Sequence, residues 1–220
     1  MQDFSAGRHT IPLPKPLLYS MQSMITGKWP DPAPVAIKRT RQEMPSPLHS
    51  SLAGWIAAEL DIRPYQHILE VGYDTGQMLQ EVGILLQRGF LAGIDASMTS
   101  FRQAAKRNKK LIREQLLQLH TGDLYTLPYP HGYFHGIYGI NLSWSGKERL
   151  NGLFQLAGML LSRGAMVMLY PLQQEISMTT ATNSFRRITE EMKEAGCGYV
   201  YCSYRSIRRE TWIMIRAEKL

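Results

Sequence analysis

Two glycines lie four positions apart in the stretch HILEVGYDTGQML, which spans residues 67–79. Gly72 follows an apolar run typical of a strand, and Gly76 precedes a segment with the pattern of a helix. Glycine lets a backbone turn sharply and approach a bound molecule closely, so a loop of this kind suits a small-molecule ligand. Asp74 lies midway, where a ligand-cradling loop would most readily carry a third glycine. The stretch therefore predicts a binding loop with a carboxylate at its centre.

A second position suited to ligand chemistry is Asp95, which ends the apolar run FLAGID 23 positions after Gly72. In open α/β sheets, ligands bind beyond the carboxyl ends of the strands, and an acidic residue about 20 positions after the first glycine accepts from ribose hydroxyls. A dinucleotide site also requires the spacing G-x-G-x-x-G, but this chain has Gly72, Asp74 and Gln77 at those positions. Because Asp74 would repel a pyrophosphate, the sequence disfavours a dinucleotide.

The segments around these residues alternate between strand and helix patterns, which predicts a parallel sheet with helices on both faces. The predicted parallel strands are 67–71, 90–95, 116–123, 133–141 and 165–171. The predicted helices are 47–60, 76–89, 97–116, 146–164 and 184–196. Two further strands, 199–207 and 211–220, are separated by three residues, too few for a parallel crossover, so we expect them to pair antiparallel. The predicted fold is α/β and doubly wound, with a mostly parallel seven-stranded sheet that ends in a C-terminal antiparallel hairpin.

Proline divides the chain into two parts. Residues 1–47 hold eight of the 12 prolines, a density that breaks regular structure. We therefore expect a proline-rich N-terminal arm or lid at 1–46 and one α/β domain at 47–220. With 220 residues, the chain is long enough to bury a sizeable core.

Composition disfavours several classes of protein. The longest apolar runs are shorter than the roughly 20 residues that a membrane-spanning helix needs, and the N-terminus lacks the apolar segment of a secretion signal. The two cysteines, Cys197 and Cys202, give neither a disulfide framework nor the spacing of a metal site. We expect a cytoplasmic protein without a membrane segment or a bound metal.

The formal net charge of +7 raises the question of an anionic partner. Basic residues concentrate at 38–41 and at 102–113, and the second group falls on a predicted helix. A solvated helix face accounts for such charge more readily than a nucleic-acid site, and no RNA-binding signature or zinc finger accompanies it. Nucleic acid is therefore the less favoured partner, and the oligomeric state is left open.

The order and spacing of the motifs resemble those of the class I, Rossmann-like, S-adenosylmethionine-dependent methyltransferases, most of all the members that act on small molecules. LEVGYDTG is similar to their first motif, an apolar strand and an acidic residue before spaced glycines, and AGIDASM to the acid that ends their second strand. HTGDLYTLPYP is similar to the acid after their third strand, and YFHGIYGINLSW to their aromatic-rich fourth strand. The resemblance covers residues 47–220, which it implies are a methyltransferase-like domain, and it includes the terminal hairpin.

The resemblance implies a site for S-adenosylmethionine and methyl transfer to a small-molecule acceptor. The glycine loop would line the methionine part, Asp95 would accept from the ribose, and Asp123 from the adenine amino group. The cofactor-binding positions that it implies are Glu70, Gly72, Tyr73, Asp74, Gly76, Asp95, Ala96, Met98, Asp123, Leu124 and Asn141. The acceptor pocket is expected from Tyr19, Trp29, His49 and Trp144. No catalytic residue is assigned, because methyl transfer needs alignment of the acceptor more than it needs a base.

Each of these roles has a structural alternative. The loop glycines also suit a plain turn, and Asp95 and Asp123 suit helix caps or turns. Met98 suits the core as well as an adenine shelf, and Asn141 suits a turn at the end of a strand. The four residues of the expected acceptor pocket also suit ordinary packing.

Two departures from the family pattern bear on function. Asp74 adds a charge beside the cofactor, and two unit charges 4 Å apart interact by ~1 kcal/mol in water and ~4 kcal/mol at an effective dielectric near 20. Repulsion from the cofactor carboxylate would weaken binding, whereas pairing with its ammonium would restore part of it; an outward Asp74 would instead cap the next helix. His131 and His135 stand where relatives usually carry acids, and we interpret them as structural substitutions rather than bases.

Three functions follow from these observations. A methyltransferase acting on a small molecule is favoured. The second is a methyltransferase-fold protein that binds the cofactor weakly or not at all and serves as a binding or partner subunit, with Asp74 as its motive. The third is an RNA- or protein-directed methyltransferase, which the net charge of +7 motivates.

Overall fold

The helices and strands alternate along most of the chain, as the computed structural model shows for residues 38–39, 46–143, 146–172 and 178–220. The helices are α1 (Ser46–Glu59), α2 (Gln77–Gly83), α3 (Met98–Arg107), α4 (Lys109–Arg113), α5 (Gly146–Met159) and α6 (Met178–Glu194). The strands are β1 (Lys38–Arg39), β2 (His67–Val71), β3 (Phe90–Asp95), β4 (Leu117–Thr121), β5 (Phe134–Ile140), β6 (Leu142–Ser143), β7 (Leu160–Leu172), β8 (Cys197–Ile207) and β9 (Glu210–Lys219). None of the helices in these ranges is both long and apolar enough to cross a membrane.

The predicted arm at 1–46 lies outside the described residues, apart from Lys38–Arg39 and Ser46. Three residues of the expected acceptor pocket also lie outside the described residues: Tyr19 and Trp29 in the arm, and Trp144 after β6. The boundary between arm and domain therefore stays a prediction.

Seven strands form one mixed sheet in the order β4-β3-β2-β5-β7-β9-β8. β2 pairs in parallel with β3 and with β5, β3 with β4, and β5 with β7. β9 is antiparallel to both β7 and β8. The predicted fold, including the terminal hairpin, is therefore confirmed. The strand order reverses between β2 and β5, and ligands of open α/β sheets bind beyond the carboxyl ends of the strands at such a point.

Both faces of the sheet are covered by helices, because neighbouring side chains of a strand point to opposite faces. On one face, Leu69 of β2 and Ile137 of β5 belong to an apolar cluster with Leu156 of α5 and side chains of α6. On the other face, Leu60 follows α1 and lies against Gly136, while Leu79 of α2 lies against Gly93. Burying a leucine fully contributes roughly 1.5–3 kcal/mol, so these two layers stabilise the sheet that carries the loops.

Two predicted helices are shorter than their patterns indicate. The helix predicted at 76–89 ends at Gly83, since the backbone at 88–90 is tied to the loop before β2: Arg88 N–H donates to Pro64 O at 2.9 Å and Phe90 N–H to Gln66 O at 2.9 Å. Gly89 is therefore not a helix cap but a point of close approach, where a Cβ would lie 2.3 Å from Gln66 O.

The helix predicted at 146–164 ends at Met159, because Leu160–Leu172 is one long strand. The first residues of this strand, β7, pair with β5 through a shift in register: Phe134 lies opposite Leu160, but Gly136 lies opposite Ala165. The prediction that this helix extends to Gly164 is therefore wrong. A Cβ at Gly164 would lie 3.1 Å from His135 O, so the glycine serves close backbone packing within the sheet.

The long helix predicted at 97–116 is interrupted at Asn108, which has φ −101° and ψ 24°. Its buried side-chain Nδ2 donates to Gly76 O at 2.9 Å and to Ala104 O at 3.0 Å. Asparagine competes for backbone groups in this way, which disfavours it inside helices. The break between α3 and α4 thus carries a direct contact to the glycine loop.

The turn between β8 and β9 consists of Arg208 and Arg209, with φ of 52° and 76°. A two-residue hairpin turn with positive φ at both positions favours Asn-Gly, because arginine is strained in the left-handed region. The chain therefore holds avoidable strain at this turn.

We expect the double substitution Arg208→Asn and Arg209→Gly to raise the free energy of unfolding by about 1 kcal/mol. Left-handed backbone costs roughly 1–2 kcal/mol per arginine, and the greater conformational freedom of glycine in the unfolded chain offsets part of the gain. Urea denaturation followed by circular dichroism measures the change. Ser206→Gly, next to the turn, is the control and should lower stability by roughly 0.5–1 kcal/mol. Equal or reduced stability of the double variant would contradict the prediction.

Candidate functional site

The loop after β2 has an alternating left-handed backbone, with φ of 71° at Gly72, 47° at Asp74 and 73° at Gly76. Gly72 N–H donates to Ile94 O at 2.7 Å, and Gly76 N–H donates to Tyr73 O at 2.8 Å. A Cβ at Gly76 would lie 2.6 Å from the Cβ of Ala104 in α3. Gly76 is therefore more than a turn residue, because it lets the loop pack directly against the next helix.

Asp95 joins this loop to the one that follows β3. Its Oδ2 accepts from Asp74 N–H at 2.9 Å and its Oδ1 from Ser97 N–H at 2.8 Å, and the residue is 3% exposed. Hydrogen bonds to an ionised acceptor are about twice as strong as neutral ones. Asp95 therefore has the turn-forming role that was predicted as the structural alternative for it.

Asp74 is partly buried and takes part in the loop through its backbone. Aspartate tolerates the left-handed region better than most residues, which explains how it stands between two glycines without altering the turn. The helix α2 begins at Gln77 with Gly76 as its N-cap and without a side-chain cap. Asp74 therefore does not cap this helix.

Glu70 and Tyr73 support the loop from below. Glu70 is fully buried in β2, and Tyr138 Oη of β5 donates to its Oε2 at 2.7 Å. Tyr73 is also fully buried: its Oη donates to His120 O at 2.9 Å, and its ring fills the space beside Gly93. Burial, with smaller contributions from the nearby acids Asp95 and Glu70, raises the pKa of Tyr73 well above 10. Tyr73 belongs to the loop by its backbone, and its buried side chain anchors the loop to the sheet.

Tyr138 is a residue that the sequence reasoning missed. It lies directly opposite Glu70 in the register between β2 and β5. The available signal was the pairing itself, since a buried acid in a central strand requires a donor on a neighbouring strand. Register between distant strands cannot be read from local patterns.

The position after β4 is built differently from the one after β3. Asp123 caps the 3-10 helix Leu124–Thr126, where its Oδ1 accepts from Tyr125 N–H at 3.0 Å. Leu124 is 4% exposed and belongs to the apolar cluster under α5. Asp123 therefore acts as a cap, which was one of its two predicted roles, and its side chain remains partly exposed. Ala96 and Met98 are both partly exposed, so Met98 is not a core residue.

Asn141 makes the turn at the carboxyl end of β5, with φ 52° and its N–H donating to Leu169 O at 2.7 Å. The next two residues form β6, which pairs antiparallel with β1: Leu142 lies opposite Arg39 and Ser143 opposite Lys38. This short ladder was not predicted. It places a basic dipeptide from the arm side of the chain at the edge where the loop after β5 begins.

The structure thus brings most of the predicted cofactor positions together at the carboxyl ends of the strands β2 to β5. We call this end of the sheet the ligand edge. His49, predicted for the acceptor pocket, is buried at 5% exposure in α1. His135 lies at the opposite end of the sheet, where its Nδ1 accepts from His67 N–H at 3.1 Å. Burial and the neighbouring His67 lower the pKa of His135, which agrees with a structural histidine. His131 is exposed beside Gly158 of α5.

Comparisons with known proteins identify the fold. No protein-family model matches the chain. A curated relative, the "Uncharacterized methyltransferase YdaC" of Bacillus subtilis (strain 168), is 23% identical over 172 residues, which cover 78% of this chain and 93% of the relative. An S-adenosylmethionine-dependent methyltransferase from Aquifex aeolicus superimposes with a TM-score of 0.64, at 15% identity, over 81% of this chain and 95% of its own. This chain has the class I methyltransferase fold.

Two other solved structures show how broadly this methyltransferase fold is used. Geranyl diphosphate C-methyltransferase from Streptomyces coelicolor A3(2), in complex with Mg²⁺, geranyl diphosphate and S-adenosyl-L-homocysteine, has a TM-score of 0.64 at 10% identity, over 84% of this chain and 91% of its own. The [4+2]-cyclase SpnF has a TM-score of 0.66 at 15% identity, over 92% of this chain and 93% of its own. The resemblance read from the motifs is confirmed, while the chemistry must be argued from the site.

A first prediction concerns the packing of the loop. Gly76→Ala should lower the free energy of unfolding by about 2–4 kcal/mol, because it combines left-handed strain with a clash against Ala104. Gly132→Ala is the matched control, since Gly132 has φ 67° but nothing within 4 Å of a Cβ, and it should cost only about 1 kcal/mol. Urea denaturation measures both, and equal losses would show that the loop does not pack on α3.

A second prediction concerns pH. Tyr129 Oη donates to Gln118 Oε1 at 3.0 Å, so its 2.7 Å contact with His120 Nε2 requires a proton on that nitrogen. Burial lowers the pKa of His120 from 6.5 to about 4. The folded state therefore binds fewer protons than the unfolded state in this window, and stability falls as pH drops from 6.5 towards 4, by roughly 3 kcal/mol for this residue.

The measurement is the free energy of unfolding at a series of pH values between 7 and 4 for the wild type and His120→Gln. The variant should be less stable at pH 7 but should show a flatter dependence on pH. His131→Gln serves as the control and should keep the wild-type slope. A wild-type slope in His120→Gln would refute the assignment.

Proposed function

We propose that this protein transfers a methyl group from S-adenosylmethionine to a small-molecule acceptor. The observation that carries the proposal is the loop at Gly72–Gly76, which stands at the carboxyl end of β2 where the strand order reverses and is held there by Asp95. The relative named as a methyltransferase and the methyltransferase structures described above support the same activity. Bound cofactor supplies a methyl group that is already activated on a sulfonium.

The charges of the loop fit this cofactor better than they fit a phosphate. Asp74 and Asp95 both lie at the ligand edge, with Glu70 buried below them. S-adenosylmethionine carries a sulfonium and an ammonium against one carboxylate, so acidic surroundings attract it. A pyrophosphate would meet two carboxylates in the same place. Opposite unit charges 4 Å apart gain ~1 kcal/mol in water and ~4 kcal/mol at an effective dielectric near 20.

The residues that follow β2, β3, β4 and β5 can each hold a different part of the cofactor. The loop backbone from Gly72 to Gly76 lines the methionine part. Asp95, with Ala96 and Met98 beside it, takes the ribose and the adenine edge. Asp123 and Leu124 lie after β4 and border the adenine. Asn141 stands at the end of β5, next to where the acceptor enters.

The protein needs to contribute alignment and exclusion of water rather than proton transfer. The histidines at 131 and 135 lie away from the ligand edge, and His120 is occupied by Tyr129. An acceptor whose nucleophile is unprotonated at neutral pH suits such a site best. A small molecule is favoured because solved relatives of this fold act on compounds such as geranyl diphosphate.

A second candidate is a methyltransferase-fold protein that does not transfer methyl groups. Asp74 favours it, since its side chain occupies a position where the motif calls for glycine. The likeness to the [4+2]-cyclase SpnF shows that the fold also occurs in a protein named for other chemistry.

Calorimetric titration with S-adenosylmethionine and with S-adenosylhomocysteine separates the two candidates. We expect the wild type to bind both, and Asp74→Asn to weaken S-adenosylmethionine by about tenfold and S-adenosylhomocysteine by less, because both carry the ammonium but only the former carries the sulfonium charge. Asp61→Asn is the matched control, since Asp61 also has a left-handed backbone, with φ 46°, at the opposite end of β2.

The other outcomes are equally informative. Binding only by Asp74→Gly would favour the second candidate, and no binding by any form would refute both the cofactor and the enzyme. If the wild type binds, a screen of small-molecule acceptors by release of S-adenosylhomocysteine tests the transfer itself.

A further inference from the structure

The end of α3 binds the glycine loop through two neighbouring side chains. Asn108 Nδ2 donates to Gly76 O at 2.9 Å, and Arg107 Nε donates to Thr75 O at 3.1 Å. Two successive residues thus hold two successive carbonyl groups of the loop, each 32 positions earlier in the chain. Neither Arg107 nor Asn108 is among the predicted cofactor positions, so their effect on a ligand must pass through the loop.

The two carbonyl oxygens that the Asn108 side chain contacts already have backbone donors. Gly76 O accepts from Gln80 N–H at 3.2 Å, and Ala104 O accepts from Asn108 N–H at 2.9 Å. Removing the side chain would therefore leave neither carbonyl without a partner. What the side chain adds is a link between α3 and the loop, because its Nδ2 donates to both oxygens.

This link leaves the other end of the amide unsatisfied. Asn108 Oδ1 is buried and has no hydrogen-bond partner among the described residues. Turning the amide over would place Oδ1 against two carbonyl oxygens, so the unpartnered Oδ1 follows from the two bonds of Nδ2. Buried acceptors without a partner are uncommon and call for an explanation. Proteins tend to accept such local defects at functional sites.

The two contacts differ in how far they are shielded from water. Asn108 is 2% exposed, and a Cβ at Gly76 would lie 2.7 Å from its Nδ2, so the amide fits closely against the loop. Arg107 is exposed, and so is its bond to Thr75 O. Hydrogen bonds are electrostatically stronger in the protein interior than in water. We therefore expect Asn108 to hold the loop more firmly than Arg107.

We propose that Asn108 and Arg107 are positioning residues for the cofactor, which hold the loop at Gly72–Gly76 in the shape that receives the methionine part of S-adenosylmethionine. This role rests on the proposed function, since it requires that the loop bind this cofactor. The bonds of both side chains to the loop end at its carbonyl oxygens. They therefore act by fixing the backbone of the loop and not by touching the cofactor.

A positioning role of this kind confines the effect to one part of the cofactor. Thr75 O and Gly76 O belong to the loop that would line the methionine part. The adenosine part would instead be held by Asp95 and Asp123, which follow from β3 and β4. A ligand that lacks the amino-acid group, such as 5′-methylthioadenosine, therefore depends little on Asn108.

Calorimetric titration of the full chain with S-adenosylhomocysteine and with 5′-methylthioadenosine tests this role. We expect Asn108→Ala to raise the dissociation constant of S-adenosylhomocysteine about tenfold and that of 5′-methylthioadenosine less than about twofold. Arg107→Ala should raise the first constant about threefold, since it removes one exposed bond. A residue with a merely structural role would change the two ligands alike or change neither.

Two variants serve as matched controls. Leu111→Ala removes a buried side chain that packs against Gly83, and it should lower the urea midpoint while leaving both dissociation constants unchanged. Lys106→Ala removes an exposed cation from α3 beside Arg107, and it should bind both ligands like the wild type. Asn108→Ala should lower the urea midpoint less than Leu111→Ala does, because it also removes the unpartnered Oδ1 and introduces a better helix former.

The outcomes separate this role from the proposed function. If the wild type binds S-adenosylhomocysteine and both variants bind it equally well, the positioning role alone is overturned. Equal weakening of the two ligands by Asn108→Ala overturns it as well, because the effect would not be confined to the methionine part. A wild type that binds neither ligand removes the cofactor site and the positioning role together. Should Asn108→Ala fail to fold, the exposed Arg107→Ala decides, and unchanged affinity for S-adenosylhomocysteine overturns the role.

Discussion

The carboxylate of Asp95 is the contact on which the ligand edge depends. It accepts backbone N–H groups from two loops, one after β2 and one after β3. Removing the carboxylate would leave two backbone donors without partners in a nearly buried place, at roughly 1–3 kcal/mol each. Neither loop has a regular element of its own to fix its shape. A single buried acid therefore fixes the position of these two loops relative to each other.

The second constraint is the contact between the loop and α3. Gly76 leaves room for Ala104, and Asn108 reaches back to the Gly76 carbonyl. The same asparagine ends α3 and so decides the direction in which α4 leaves. Helix break and loop position are thus one feature with two consequences, and neither can change without the other.

Local sequence was sufficient where a segment's environment follows from its own pattern. The strands at 67–71 and 90–95 are found as predicted, because short apolar runs between polar residues are buried wherever they lie. Asp95 ends its strand and the glycine loop follows its strand for the same reason, whereas their roles toward a ligand stay predictions. The errors at Asn108 and at 160–164 have another origin, since both depend on partners far along the chain, Gly76 and Phe134. The partner of Glu70, Tyr138, was missed because it is set by register between strands.

The backbone at Asp74 already has a conformation that glycine adopts freely. Aspartate and glycine codons differ by one base, so the exchange between them is a single mutational step that leaves the fold in place. The structural scaffold around the loop, namely Asp95, Tyr73 and Asn108, does not use the Asp74 side chain in any contact described above. Evolution can therefore tune the charge of this loop, and with it the ligand that the loop prefers, independently of the architecture that carries it.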